Sequence, residues 1–220
     1  MIRKYVSGQM VPLYSICGQC TYRDHKYWIN HIAVVSRTPS SGGGTLRVAH
    51  MAPPLEENSL LLHFWLDIPL SEIEKDGIRY ALKDTEWDPP SDAHQDMFTR
   101  FKVIPWNEDG HNFSCAGFVV YLYSFAGIRL ISEETPLPQY TEQELGSVWP
   151  IAQAASLCKQ PYAAFKERIG LFGEGPWSVL MPGAVIQSAR VFRKLKDSYV
   201  PKYEDAWLSD EDAVRLDFYP

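Results

Sequence analysis

The stretch Ser114-Cys115-Ala116-Gly117-Phe118-Val119-Val120-Tyr121-Leu122-Tyr123-Ser124-Phe125-Ala126-Gly127-Ile128 decides how this chain is read. Ser114 carries a hydroxyl suited to capping a helix, and Phe113 and Phe118 stand at the two positions of a hydrophobic staple. Gly127 suits the left-handed residue that stops a helix. The pattern therefore predicts a helix with Cys115 in its first turn. Unpaired backbone N–H groups and the positive end of the helix dipole favour a thiolate there, and the same amides can stabilise an oxyanion during acyl transfer. Cys115 is the candidate nucleophile, set against the plainer reading of a small buried apolar residue.

A thiol nucleophile needs a base, which the fold brings to it in space rather than in sequence. His31 is the best candidate. It lies in Tyr27-Trp28-Ile29-Asn30-His31-Ile32-Ala33-Val34-Val35, a β-branched and aromatic run that ends in the turn signals of residues 36–44, with glycine at 42, 43 and 44. A second strand follows over Thr45-Leu46-Arg47-Val48-Ala49-His50-Met51. A turn centred between Ser40 and Ser41 sets positions summing to about 81 opposite one another in an antiparallel pair, His31 and His50 among them. His50 is then placed to orient the imidazole of His31, with Asp67 and Asp24 as fallbacks for that third role.

In this order, His31, His50 and Cys115 resemble the circularly permuted branch of the NlpC-type papain-like hydrolases, the branch that includes the lecithin:retinol acyltransferase-like proteins. Asn30-His31-Ile32-Ala33-Val34-Val35 is similar to that family's histidine strand, and Leu46-Arg47-Val48-Ala49-His50 to the strand carrying the third residue. The segment from Ser114 to Ile128 resembles its nucleophile helix. The likeness covers residues 27–150, with a longer loop between the two histidine strands, and Ser114 where an acidic or amide residue often stands. It implies an α+β fold, a papain-like antiparallel sheet packed against the nucleophile helix. The whole chain, 1–220, is then one hydrolase domain with a C-terminal helical elaboration over 151–220.

Composition sets limits. The chain has 220 residues, 45% hydrophobic and 22% charged, enough to bury a full core. A net charge of −6 leaves no basic footprint for nucleic acid. No apolar run approaches the roughly 20 residues that cross a bilayer. The first ten residues, Met1 to Met10, contain basic side chains but no apolar core of a secretory signal, so synthesis in the cytoplasm is expected, with any outside substrate reached by a non-Sec route. Cys17 and Cys20, with His25 nearby, look like half of a zinc site, but no second pair appears and they read as structural cysteines. Cys158 reads as core. No metal and no cofactor is expected.

Residues 59–68 read as a buried strand in which His63 is a satisfied core histidine, and residues 98–104 as a half-buried strand. Residues 84–97 read as an exposed loop. Beyond residue 128 the pattern turns mostly helical. Thr141 to Glu144 forms a capping box, 152–169 and 184–195 carry helical patterns, and Tyr203, Trp207 and Phe218 are placed to pack down the acidic tail.

These residues suggest a cysteine hydrolase that opens an amide bond through a thioester. Cys115 attacks, His31 moves the proton, His50 orients His31, and the Cys115 N–H is one oxyanion donor; His111 and Asn112 are near enough to be considered for the second. The resemblance implies γ-D-glutamyl or related peptidoglycan peptide bonds as substrate. Without a signal peptide, such an enzyme is expected to act as a delivered antibacterial toxin, a secretion-system effector carried to the periplasm of a target cell, or as a phage lytic factor. Its partners would then be a cognate immunity protein or a component of the secretion apparatus. A papain-like acyltransferase or lipid amidase is the alternative, since 12 Tyr, 10 Phe and 7 Trp are enough to line an apolar channel. A non-catalytic binding module is the second alternative.

Overall fold

The computed structural model describes residues 1–38, 46–51, 55–58, 62–84, 114–132, 134–148, 156, 159, 161–168, 171–194 and 199–218. The fold is α+β, built on a six-stranded antiparallel sheet. Its strands are β1 (Ile2–Lys4), β2 (Ile16–Arg23), β3 (Lys26–Arg37), β4 (Arg47–Met51), β5 (Leu55–Asn58) and β6 (Phe64–Leu66), in the order β1-β6-β2-β3-β4-β5. The helices are α1 (Glu72–Asp84), α2 (Cys115–Phe125), α3 (Glu142–Val148), α4 (Tyr162–Arg168), α5 (Pro182–Val191) and α6 (Asp210–Arg215). A short antiparallel pair, β7 (Gln139–Tyr140) and β8 (Trp177–Ser178), adds two strands to a half expected to be mostly helical. The strand expected over 98–104, Phe113 and Cys158 lie outside the described residues, as do residues 59–61 of the strand expected over 59–68 and residues 85–97 of the loop expected over 84–97, whose first residue, Asp84, instead ends α1.

β3 is the longest strand and lies inside the sheet, between β2 and β4. The β2–β3 hairpin turns on Asp24 and His25, both at positive φ (50° and 60°), the two-residue turn whose twist matches that of paired strands. Successive side chains of β3 enter two different cores. Ile32 and Val34 face α2, packing with Ala116, Phe118, Val119 and Leu122 and with Ala184 and Val185 of α5. Ala33 and Val35 face a second core with Cys17, Val48 and Trp65. Burial on both faces explains why this strand reads as a continuous apolar run.

α2 is apolar around its whole circumference and buried from Ala116 to Tyr123, as such helices are. Two contacts and a turn fix its position. The Tyr123 hydroxyl donates to the Tyr14 carbonyl ahead of β2 (2.8 Å), Gly127 at φ +71° turns the chain out of the helix, and Gly77 brings α1 against its last turn. The C-terminal half has its own core around Trp28, Tyr140, Phe165 and Trp177, over which Tyr203 and Trp207 pack. The tail is held as expected. Trp207 meets Trp28 edge to face at 5.1 Å, Leu208 N–H donates to the Tyr27 carbonyl at 2.9 Å, and Phe218 lies against Tyr27. The Thr141–Glu144 capping box also forms, Thr141 N–H donating to the Glu144 carboxylate (2.7 Å) and Glu144 N–H to the Thr141 hydroxyl (3.3 Å). Among the described residues no helix is long and apolar enough to cross a membrane.

The α1–α2 contact gives a test of the packing. A Cβ built on Gly77 would stand 2.4 Å from the Phe125 carbonyl oxygen, which is backbone and has nowhere to go. Gly77→Ala should destabilise the protein by about 1–3 kcal/mol, even though alanine is the better helix former by about 1 kcal/mol. Urea unfolding of the two proteins measures the difference.

Candidate functional site

Cys115 opens α2 as the sequence implied. The Ser114 hydroxyl accepts the Gly117 N–H at 3.0 Å and the Ser114 carbonyl accepts the Phe118 N–H at 2.8 Å, so the cap takes these two amides and leaves those of Cys115 and Ala116 to other partners. The sulfur has three backbone amides around it, those of Ile32, Ala116 and Cys115 itself. The Ile32 contact links the helix to the histidine strand. Val35 exchanges hydrogen bonds with Tyr14 and Ser15 on the β2 side, so by alternation Val34 and Ile32 turn their N–H groups toward β4. Val34 pairs with Ala49, after which His50 and Met51 pair with Glu56 and Leu55 of β5. The Ile32 N–H lies in the plane of the sheet beyond that point, and the Cys115 sulfur occupies it.

His31 and His50 come together, but not by the register expected. Paired positions of β3 and β4 sum to 83 at Val34–Ala49 and Val35–Val48, with an irregularity before Arg37–Arg47, rather than to about 81. His31 is therefore diagonal to His50 instead of opposite it. A shift of two residues preserves the face each side chain points to, so both histidines share the face of Ala33 and Val48. Their rings meet nearly at right angles, with His31 Nε2 3.0 Å from His50 Nδ1. His50 is 1% exposed.

The electrostatics correct one expectation. Burial pushes the Cys115 thiol up to about 11, outweighing the three amides that favour the thiolate. The helix start alone does not make this thiol acidic. Burial, and next the neighbouring His50, pushes His31 down to about 3. At neutral pH the thiol and the imidazole are both uncharged, the imidazole in the state that accepts a proton. Cys115 as a residue is partly exposed, while its thiol is buried.

The fallback carboxylates do not join the site. Asp67 is bound to Arg3 (2.7 Å) at the β1–β6 edge, and Asp24 sits exposed at the tip of the β2–β3 hairpin. His63 Nδ1 accepts the Cys20 N–H at 3.0 Å and its ring meets the edge of Phe218, a satisfied histidine as read from sequence. Cys17 and Cys20 are both buried but enter different cores on opposite faces of the sheet, so they cannot bind one metal ion or form a bond together. His111 and Asn112 lie outside the described residues. Two polar residues beside His31 escaped the sequence reading. Gln19 stands directly across from His31 on β2, and Asn30 is the extra residue where β3 bulges against β2. The register set by the Asp24-His25 turn would place Gly18 opposite His31; the bulge shifts it to Gln19, and no alternation pattern marks the bulge. No family model, no curated protein and no solved structure matches this chain.

The lowered basicity of His31 sets an acid limit on stability. Its folded state holds the proton less tightly than the unfolded state, whose histidine titrates near 6.5, so stability is full above that pH and is lost as pH falls toward 3. The slope should reach up to about 1.4 kcal/mol per pH unit in that window. His31→Asn should flatten it in urea unfolding measured at a series of pH values.

Proposed function

We propose that this chain is a papain-like thiol hydrolase that opens an amide bond through a thioester on Cys115. The observation that carries the proposal is the sulfur on the Ile32 amide, one peptide bond from His31, whose outer ring nitrogen is engaged by His50. With Nε2 turned to His50, Nδ1 is the ring nitrogen left to take a proton, and it lies on the main-chain side of the ring. The tautomer this requires has His31 Nε2–H donating to His50 Nδ1.

The neutral resting pair dictates the order of events. As the sulfur attacks an acyl carbon, its proton passes to His31 Nδ1, and thiolate and imidazolium character arise together, each offsetting the cost of burying the other. The hydrogen bond to His50 holds the imidazolium in place. The tetrahedral oxyanion is directed to the amide groups at the start of α2. His31 then gives its proton to the leaving amine, and next takes one from the water that hydrolyses the thioester. The family resemblance favours γ-D-glutamyl or related peptide bonds of peptidoglycan. The setting we propose is a toxin delivered to a target cell, with a cognate immunity protein as partner, or a phage lytic factor.

Incubation of purified sacculi with the wild type should release new amino groups, and Cys115→Ala should abolish the release. His31→Asn should lower the rate by roughly 10²–10⁴-fold, the usual worth of a positioned general base. His50→Ala, which loosens the base without removing it, should cost less than His31→Asn. Release that continues at the wild-type rate with Cys115→Ala would remove the hydrolase reading.

A further inference from the structure

Asn30 supplies an unused group beside the site. Gln19 faces His31 and Cys20 faces Ile29 across the β2–β3 ladder, so Asn30 is the residue in excess. Bulges of this kind re-aim side chains and recur next to active sites. Asn30 adjoins His31 and stands two residues from Ile32, whose amide holds the sulfur. Its Oδ1 is buried and meets no hydrogen-bond donor among the described residues. A buried acceptor left in that state works against folding, and it needs a reason. Asn30 as a whole is only partly buried, and the terminal amide torsion of asparagine is broad and roughly two-fold. With no bond anchoring the oxygen, a swing about χ2 presents it to an arriving group.

We infer that Asn30 Oδ1 accepts the N–H of the scissile amide and so selects amides over esters. The inference rests on the hydrolase reading above and narrows it to substrates whose leaving group carries an N–H. An ester with the same acyl group offers only oxygen lone pairs at that point, and a site arranged around a donor discriminates against the analogue that lacks one, because its own polar group stays unpaired. Asn30 is on this account a substrate-binding residue and takes no part in moving the proton.

The test uses a γ-D-glutamyl p-nitroanilide and the p-nitrophenyl ester of the same acyl group, with the wild type, Asn30→Leu and Asn30→Asp. Comparing each variant with the wild type on one substrate cancels the different intrinsic reactivities of the two leaving groups. Asn30→Leu should lower kcat/KM for the anilide by roughly 10–100-fold and leave the ester within about threefold. Its thermal midpoint should stay level or rise, since an apolar group replaces an unsatisfied one. Asn30→Asp keeps an acceptor oxygen and should retain most of the anilide activity. Equal losses on both substrates, or no loss on the anilide, would overturn the inference while leaving the hydrolase reading intact. Wild-type turnover of either substrate that survives Cys115→Ala, or no turnover of either by the wild type, would instead remove the hydrolase reading and this inference with it.

Discussion

A single main-chain amide joins the two halves of the site. The β3–β4 ladder, irregular before Arg37, ends at Val34 and Ala49, while β4 stays paired with β5 from Val48 to Met51, and beyond that end the Ile32 N–H faces the Cys115 sulfur. Had the ladder continued, a β4 carbonyl would have taken that N–H and the start of α2 would have had no place in the plane of the sheet. The parting of two strands thus creates the seat for the helix terminus. It also sets the distance scale, because the sulfur is anchored to the residue that follows His31. The rest of the fold serves this seat. Tyr123 ties α2 to the segment ahead of β2, Gly77 lets α1 close against its far end, and α5 packs behind it in the same core.

The same burial that secures the geometry sets the protonation states. Three amides and a helix terminus favour a thiolate at Cys115, yet desolvation is the larger effect and the thiol rises to about 11. His31 moves the other way for the same reason, helped by His50. Both groups are held neutral. In the proposed reaction, charge separation is deferred to the moment of attack, when each charge offsets the cost of burying the other.

Much of this was legible in the sequence because the relevant signals are local. Ser114 and Gly127 bracket α2, and the β-branched runs around His31 and His50 mark two of the strands. The pairing of the histidines was legible for a subtler reason. The expected register was off by two, and a slip by an even number leaves every side chain on its own face, whereas a slip by one would have separated the rings. What was not legible depends on surroundings. The thiol's acidity follows from what covers it, the opposed directions of Cys17 and Cys20 follow from the pleat of β2, and the close approach at Gly77 involves backbone some fifty residues away in sequence. The bulge at Asn30 is silent in any alternation pattern, since an inserted residue looks like any other member of a strand.

The two partners of the site also differ in how far the chain must travel to supply them. β2 to β5 are consecutive antiparallel neighbours in sequence and in space, so the imidazole pair can be set by short loops within the first 58 residues. The sulfur reaches Ile32 only by closing a loop of roughly eighty residues, an entropic cost that is met late in folding. The tail from Tyr203 to Phe218, which covers Trp28, Tyr27 and His63, arrives later still. During synthesis both histidines are made before Cys115, so a nascent chain carries the residues of the imidazole pair before the sulfur that reaches Ile32.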